Sequence, residues 1–391
     1  MSRLSQKIAV ACLSSTLSFA ALPAYAQTSD ALDAQTFAAL AHANQDAFLG
    51  HISVNLLLPA HQQFAQSSAA LAQAWPQACV QSDFASLRQQ WQQSMQAWAQ
   101  VRWLTFGPLA AENRAWRVQF WPDKKDLVGR QTQAWLAVEP TPDAQAVYQA
   151  SIALQGLPAL EYLLFDPKAQ GQKNLCALGQ AISANLARVS QEMYQAWQAE
   201  EGLAYQVRQA AVGEGYFPSA SAAISTLVRD MNLYLQLVSE RKLGRALGEP
   251  QQRRPWQLEF WRSQTSLQAI KSSLDTLAGV WSGDYQALNL PQEVSTLLPE
   301  TYQGYGLRQY VVDLGQAPLA QRIDQAWQQV QQSLAALTQD SAFAILKAED
   351  AQGIQALETF IHQLTQLEGM INQELNPLLG VVIGFNAQDG D

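Results

Sequence analysis

The chain has 391 residues, of which 48% are hydrophobic and 15% are charged, so it is long enough for one large or two ordinary domains and too apolar to be mainly disordered. The formal net charge is −9 and no basic run is longer than a pair, which argues against a nucleic-acid-binding face or a polybasic membrane patch. The uncharged polar positions are rich in glutamine, set among many alanines, and both residues favour helices, so composition predicts an all-α protein.

The first 26 residues have the pattern of a secretory signal peptide. Arg3 and Lys7 precede an apolar run over residues 8–22, and the small-residue site Ala24-Tyr25-Ala26 follows. A membrane anchor is the alternative, but this run is shorter than the about 20 residues that span a bilayer. The sequence therefore predicts export with cleavage after Ala26, and no later stretch predicts a membrane span.

Helical periodicity is clearest in three places, where apolar residues recur at steps of three or four and form one stripe along a helix. Counted from the residues at its start, each predicted helix is about 20 residues long, the length of a bundle helix. The stripes cover residues 84–101, 224–238 and 354–375, and they follow Ser82, Ser219 and the acidic pair Glu349-Asp350, all suited to a helix start.

A segment rich in glycine and other helix-breaking residues, 202–218, divides the mature chain nearly in half. We therefore expect two helical bundles with a boundary near residue 215. The N-terminal bundle is expected over residues 27–215 and the C-terminal bundle over residues 216–391.

Tryptophan and cations are concentrated between residues 101 and 125, in a chain that is otherwise poor in charge. Arginine and lysine beside aromatic faces can hold an anionic or carboxylate ligand, and structural salt bridges at an interdomain seam are the alternative. The residues that stand out are Arg102, Trp103, Arg114, Arg117, Trp121, Asp123 and Lys124.

Glu161 is a single carboxylate in the apolar segment Gly156 to Phe165. Gly156 ends one helix and Pro158 suits the first turn of the next, which places Glu161 in that turn. Two interpretations remain open. The carboxylate satisfies free backbone donors at the helix start, or it faces a cleft as a buried acid with a shifted pKa.

A further segment, Trp256 to Ser266, combines aromatic, charged and hydroxyl side chains. It contains Glu259, Arg262 and Ser263. Arg262 is a candidate partner for Glu161 across the domain boundary.

Cysteine usage is consistent with an oxidising compartment. Signal cleavage removes Cys12 and leaves Cys79 and Cys176, for which one disulfide is expected. A pair of buried thiols is the alternative, and two isolated cysteines lack the spacing of a zinc site.

Taken together, these segments resemble the imelysin-like family, exported bacterial helical proteins named after a peptidase and linked to iron uptake. The resemblance covers almost the whole mature chain. It implies a periplasmic location and two antiparallel helical bundles related by approximate internal duplication, with a site where they meet and cysteines at the positions of Cys79 and Cys176. The segments that carry it are Asn55 to Pro59, Phe106-Gly107-Pro108, Phe120 to Lys125, Gly156 to Phe165, Leu243-Gly244-Arg245, Trp261-Arg262-Ser263, Gly384-Phe385-Asn386 and Asp389-Gly390-Asp391.

The family motif G-x-H-x-x-E is altered here to Gly156, Pro158 and Glu161, so the histidine that would share a metal ion with the glutamate is absent. A site made of carboxylates alone keeps iron or another divalent cation as a candidate, with Glu161 as a candidate ligand. No histidine has Glu three residues later, and lone histidines on polar helices are expected to face solvent. The histidines are His42, His51, His61 and His362.

The leading hypothesis is a periplasmic, non-catalytic protein of iron uptake that binds a ligand or an envelope protein at the interdomain cleft around Glu161. One alternative is an imelysin-type metallopeptidase, against which the altered motif and the lack of a visible Ser/His/Asp or Cys/His arrangement argue. The other is a structural or interaction protein of the cell envelope. No catalytic residue is assigned, and the expected cleft residues are Gly156, Pro158, Glu161, Arg102, Trp121, Asp123, Lys124, Arg262 and Ser263.

The signal-peptide interpretation predicts that the mature protein begins at Gln27. We expect N-terminal sequencing of protein from the periplasm of an expressing bacterium to start at that residue. Ala26→Arg, which changes the cleavage site, should leave uncleaved precursor in the membrane fraction. Recovery of exported wild-type protein that retains residues 1–26 would contradict the prediction.

Overall fold

The computed structural model describes residues 34–138, 142–210, 215–291, 302–337 and 341–381, with side chains described from residue 43 onwards. Regular secondary structure over these ranges is helical, and no strand occurs in them. The all-α prediction from composition is confirmed.

Two predicted features lie outside the described residues. These are the signal peptide, residues 1–26, and the closing segment that contains Gly384-Phe385-Asn386 and Asp389-Gly390-Asp391. None of the helices in the described part of the chain combines the length and apolar character needed to cross a membrane.

The helices before residue 210 include four long ones and several short ones between them. A π-helical turn, Ser53–Leu57, joins the first two into a nearly continuous rod. In chain order the α-helices are α1 Ala34–Ile52, α2 Leu58–Gln81, α3 Phe84–Val101, α4 Arg114–Val118, α5 Leu127–Trp135, α6 Ala144–Gln149, α7 Gly156–Phe165, α8 Leu175–Gln198 and α9 Leu203–Arg208.

The helices after residue 215 again combine long rods with short connecting turns. Two further π-helical segments, Leu237–Gly244 and Ile371–Leu375, extend the helices that precede them. These α-helices are α10 Ala220–Gln236, α11 Arg245–Leu247, α12 Ser266–Ser282, α13 Leu307–Asp313, α14 Ala317–Leu337, α15 Ala342–Ala348, α16 Ala351–Met370 and α17 Asn376–Leu378.

The three apolar stripes correspond to α3, α10 and α16, and two of the expected caps are correct. The Ser219 hydroxyl accepts from the amide of Ala222, and the Asp350 carboxylate accepts from two amides of the first turn of α16. The cap of α3 is Asp83, not Ser82, because Ser82 adopts a left-handed conformation at the end of α2. The Asp83 carboxylate, one residue later, accepts from the amide of Ser86 at 3.1 Å and so caps the first turn of α3.

Buried apolar side chains form two clusters. The first packs α2, α3, α7 and α8 around Trp75, Trp91 and Trp98. The second packs α1 with α10, α12, α14 and α16, and Phe48 and Ile52 of α1 belong to it. The rod α1–α2 therefore contributes to both clusters. The domain boundary near residue 215 and the internal duplication stay predictions.

The helices α3 and α12 pack side by side and connect the two clusters. The Ser273 hydroxyl of α12 donates to the backbone carbonyl of Ala99 in α3 at 2.7 Å. Because small side chains face each other here, the two helices approach closely. Their ends position the loops that build the candidate site.

Cys79 and Cys176 form a disulfide with Cα atoms 5.9 Å apart, as expected. It joins the last turn of α2 to the first turn of α8.

Removal of this disulfide should destabilise the fold, because the bridge closes a loop between residues 97 positions apart and restricts the unfolded chain. For the double variant Cys79→Ala/Cys176→Ala we expect the free energy of unfolding to fall by about 2–5 kcal/mol. Urea titration of the mature protein, followed by circular dichroism, measures this change. A midpoint equal to that of the oxidised wild type would contradict it.

Candidate functional site

The start of α7 depends on a glycine that packs directly against backbone. Gly156 has φ +68°, and a Cβ atom there would lie 2.1 Å from the carbonyl oxygen of Val118 in α4. Any other residue would push α7 away from α4 and strain the backbone. Because the helix begins at Gly156, Glu161 lies in its second turn, and the first-turn interpretation of this carboxylate is wrong.

Glu161 is buried, with 2% of its surface exposed, and its hydrogen bonds come from a distant segment. Its Oε1 accepts from the backbone N–H of Ser263 at 2.8 Å and from the Ser263 hydroxyl at 2.7 Å. Burial raises the pKa of Glu161 to about 7, although the Ser263 bonds and the charge of Arg262 oppose that rise. The carboxyl group therefore takes up or releases a proton near neutral pH.

The Arg262 side chain is bound by aspartates and not, as the sequence suggested, by Glu161. Its Nε donates to Asp166 at 3.0 Å and its Nη2 to Asp126 at 2.6 Å. The guanidinium also lies 4.3 Å from the ring centroid of Trp261. Two carboxylates thus neutralise Arg262, and its charge acts on Glu161 only through space.

A cavity of about 420 Å³ opens beside these groups. Six of the predicted cleft residues line it, while Ser263, Gly156 and Arg102 do not. Ser263 and Gly156 act on the lining indirectly. Ser263 donates hydrogen bonds to Glu161, and Gly156 is the first residue of α7, which carries Pro158 and Glu161. The predicted residues in the lining are Trp121, Asp123, Lys124, Pro158, Glu161 and Arg262, and the sequence missed Lys125, Asp126, Trp256, Phe260 and others.

The charged residues at the mouth of the cavity have different roles. The Asp123 carboxylate accepts from the amides of Leu127 and Val128, both at 2.8 Å, and so stabilises the start of α5. Lys124 and Lys125 are exposed and make no ion pair in the described part of the chain. These two ammonium groups are available to a ligand.

Arg102 lies in a separate, buried network centred on Glu259, a residue that sequence reasoning did not select as a site. Glu259 Oε2 accepts from Arg102 at 2.7 Å and from Gln119 at 2.9 Å, and its Oε1 accepts from Lys242 at 2.6 Å. Burial alone would raise the pKa of Glu259, but Lys242 and Arg102 hold that pKa below its usual range. The carboxylate is therefore ionised and fully paired, which is typical of a structural centre.

The model of the imelysin family, peptidase family M75, matches residues 57–371. This match covers most of the chain and the whole of the site described above.

The chain belongs to the imelysin family.

Two solved structures share the fold of this imelysin-family chain. An imelysin-like protein from Psychrobacter arcticum 273-4 superposes with a TM-score of 0.69 and 18% identity, covering 88% of this chain and 98% of that one. A protein described as an iron-regulated protein A precursor, from Parabacteroides distasonis ATCC 8503, superposes with a TM-score of 0.63 and 14% identity, covering 84% and 95%. At these identities the likeness concerns the fold. No curated protein matches the chain.

The residues of the candidate site do not fit a metal ion held by the protein itself. Over the described ranges, no group of three or more His, Cys, Asp or Glu side chains is placed to hold one. Asp126 and Asp166 are engaged by Arg262, and the Asp123 carboxylate by backbone amides. Pro158 has no donor atom in its side chain. Glu161 is thus left as a single carboxylate, too few donors for the coordination shell of a hard cation.

The expectation that the histidines face solvent is wrong for His51 and His61, which are 5% and 1% exposed. Nε2 of His51 lies 2.8 Å from the carbonyl oxygen of Gly283, and Nδ1 of His61 lies 2.7 Å from that of Leu57. Burial lowers the pKa of His61 to about 4, so this ring is neutral at physiological pH. Both rings pack within the helical core, a position that one-dimensional polarity patterns do not reveal.

The raised pKa predicts how Glu161 affects stability. A carboxyl group in an unfolded chain titrates near pH 4.3, so between about pH 4 and 7 the folded protein binds more protons at Glu161 than the unfolded chain does. The stability of the wild type should therefore fall as pH rises through this window, by about 3 kcal/mol from this group, and Glu161→Gln should remove that part of the fall.

Urea unfolding at a series of pH values measures this difference. Glu358→Gln, a change at an exposed glutamate of α16, serves as the matched control and should keep the wild-type slope. If the profiles of Glu161→Gln and wild type run parallel between pH 4 and 7, the raised pKa is contradicted.

Proposed function

We propose that this imelysin-family protein is an exported, periplasmic component of iron uptake that binds a ligand in the cavity beside Glu161 and does not cleave peptides. Membership of the family and the similarity in fold to a protein described as iron-regulated support the link to iron. The apolar run and the small-residue site at the N-terminus support export.

The observation that carries the proposal is the composition of the cavity wall. A buried carboxyl group, Glu161, shares a volume of about 420 Å³ with the aromatic rings of Trp121, Trp256 and Phe260. Lys124 and Lys125 stand at its mouth without ion-pair partners among the described residues. Apolar walls with a few convergent polar groups are typical of small-molecule sites, and the volume is within the usual range for such sites.

The same wall favours an iron complex with an organic chelator over a bare ion. A bare ferric or ferrous ion needs several oxygen or nitrogen donors from the protein, and here most carboxylates are already bonded to Arg262 or to backbone amides. A chelated iron brings its own donors, and its organic part can contact the tryptophans while its negative charge faces the lysines. In this proposal the protein binds the chelator, and the chelator holds the iron.

Binding of a ferric chelate tests this function. Quenching of tryptophan fluorescence by ferric citrate and by a ferric tris-catecholate complex is measured with the mature protein, with free ferrous ion as a comparison. We expect saturable binding of at least one chelate, and Lys124→Gln/Lys125→Gln should weaken it on the order of tenfold. Lys168→Gln, an exposed lysine outside the cavity lining, is the matched control and should bind as the wild type does.

Three results would overturn the proposal. The first is that neither chelate binds. The second is that the double lysine variant binds the chelates as the wild type does. The third is that free ferrous ion binds more tightly than both chelates and that this binding is lost in Glu161→Gln. A peptide mixture incubated with the protein tests the alternative enzyme: cleavage that is abolished by a chelating agent and by Glu161→Gln would identify a metallopeptidase.

A further inference from the structure

A smaller pocket lies between the loop that follows α3 and one face of α10. Its volume is about 240 Å³, and it shares no lining residue with the cavity beside Glu161. We name it the Arg102 pocket, after the cation in its lining. Most of the other lining residues are apolar, and they include Trp103, Leu104, Leu109, Leu233 and Leu237.

The Arg102 guanidinium has one nitrogen left for a ligand. Its Nη1 donates to Gln119 at 2.6 Å and to Glu259 at 2.7 Å. Neither Nε nor Nη2 donates to a group in the described part of the chain, and protein encloses Nε but not Nη2. Since 14% of the side chain is exposed and Arg102 lines the pocket, Nη2 is the donor that a ligand there can reach.

The ion-pair network behind the pocket carries one excess positive charge. Arg102 and Lys242 share the single carboxylate of Glu259, at 2.7 and 2.6 Å. Two cations with one carboxylate leave a charge that the network itself does not balance. A partly buried charge of this kind is stabilised by solvent or by a bound anion.

The carboxylate in this lining, Asp230, is already satisfied by neighbouring groups. It accepts from the backbone N–H and the hydroxyl of Thr105, at 2.6 and 2.7 Å, and it pairs with Arg229 at 2.9 Å. The Tyr234 hydroxyl is likewise engaged, because it accepts from Lys242 at 2.7 Å. The polar group that the lining offers to a ligand is therefore the cation, Arg102.

From these features we propose that the Arg102 pocket binds a small monocarboxylate with an aliphatic body. The carboxylate of the ligand accepts a charge-assisted hydrogen bond from Nη2 of Arg102 and balances the excess charge. The aliphatic body contacts the leucines and the ring of Trp103, which removes apolar surface from water. The ligand is small, because the volume lies below the about 300 Å³ at which sites for drug-sized molecules begin.

Two other kinds of small anion fit these features less well. A phosphate dianion brings more charge than the network lacks, and it leaves the apolar lining in contact with water. An amino acid places an ammonium group near Arg102 without a free carboxylate to receive it, since Asp230 and Glu259 are both engaged.

Saturation-transfer NMR with the mature protein tests the proposal. The probe is hexanoate, and the comparisons are acetate, hexylammonium and norleucine, the amino acid with the same carbon chain. We expect hexanoate to bind and acetate to bind at least tenfold more weakly, because each buried methylene group contributes about fourfold to affinity. Hexylammonium and norleucine should not bind, and inorganic phosphate should not displace hexanoate.

A matched pair of variants locates the binding. Ala110→Phe adds a ring at an exposed position of the lining and should weaken hexanoate binding at least tenfold. Ala111→Phe adds the same ring at the next residue, which is exposed and outside the lining, and should bind as the wild type does. Both alanines are exposed, so neither change disturbs the core. Arg102→Gln, where it folds, should abolish the preference for hexanoate over hexan-1-ol.

The proposal is overturned if hexanoate does not bind, or if hexylammonium or norleucine binds as tightly as hexanoate does. It is also overturned if Ala110→Phe and Ala111→Phe bind hexanoate equally. Loss of hexanoate binding in Lys124→Gln/Lys125→Gln would place the anion in the cavity beside Glu161 and would contradict the Arg102 pocket as its site.

Discussion

The buried ion pairs of Glu259 are the constraint on which the candidate site depends. A carboxylate without partners in this position would be strongly destabilising, and Lys242, Arg102 and Gln119 together compensate its loss of hydration. Arg102 ends α3 and Lys242 belongs to the π-helical extension of α10, so the network joins helices from both apolar clusters. Removing Glu259 would leave the buried charges of Lys242 and Arg102 without a carboxylate partner.

The Glu259 network also positions the loop that follows it. The Ser266 hydroxyl at the start of α12 donates to the backbone carbonyl of Glu259, which links the loop to the helix. The loop carries Phe260, Trp261 and Arg262 into the cavity wall and presents Ser263 to Glu161. One buried charge cluster therefore orients a wall of the cavity beside Glu161.

Glu161 and Glu259 show how environment decides the behaviour of two buried glutamates. Glu259 contacts two cations directly and its pKa is held low. Glu161 receives hydrogen bonds from Ser263 while the nearby Arg262 is neutralised by aspartates, so burial prevails and the pKa of Glu161 rises to about 7. Glu259, which is paired with cations, is structural. Glu161, whose pKa lies near neutral pH, borders the cavity.

Local patterns in the sequence determined much of this protein. The apolar stripes and the caps at Ser219 and Asp350 follow from short-range spacing and from side chains that bond to nearby amides, so α10 and α16 could be predicted. The importance of Gly156, Glu161 and Ser263 was also visible, because they stand out in an apolar or helix-forming background. Tertiary structure alone decided which residues meet. Arg262 pairs with Asp126 and Asp166, and Arg102 pairs with Glu259, because such contacts join residues far apart in the chain and depend on how the helices pack.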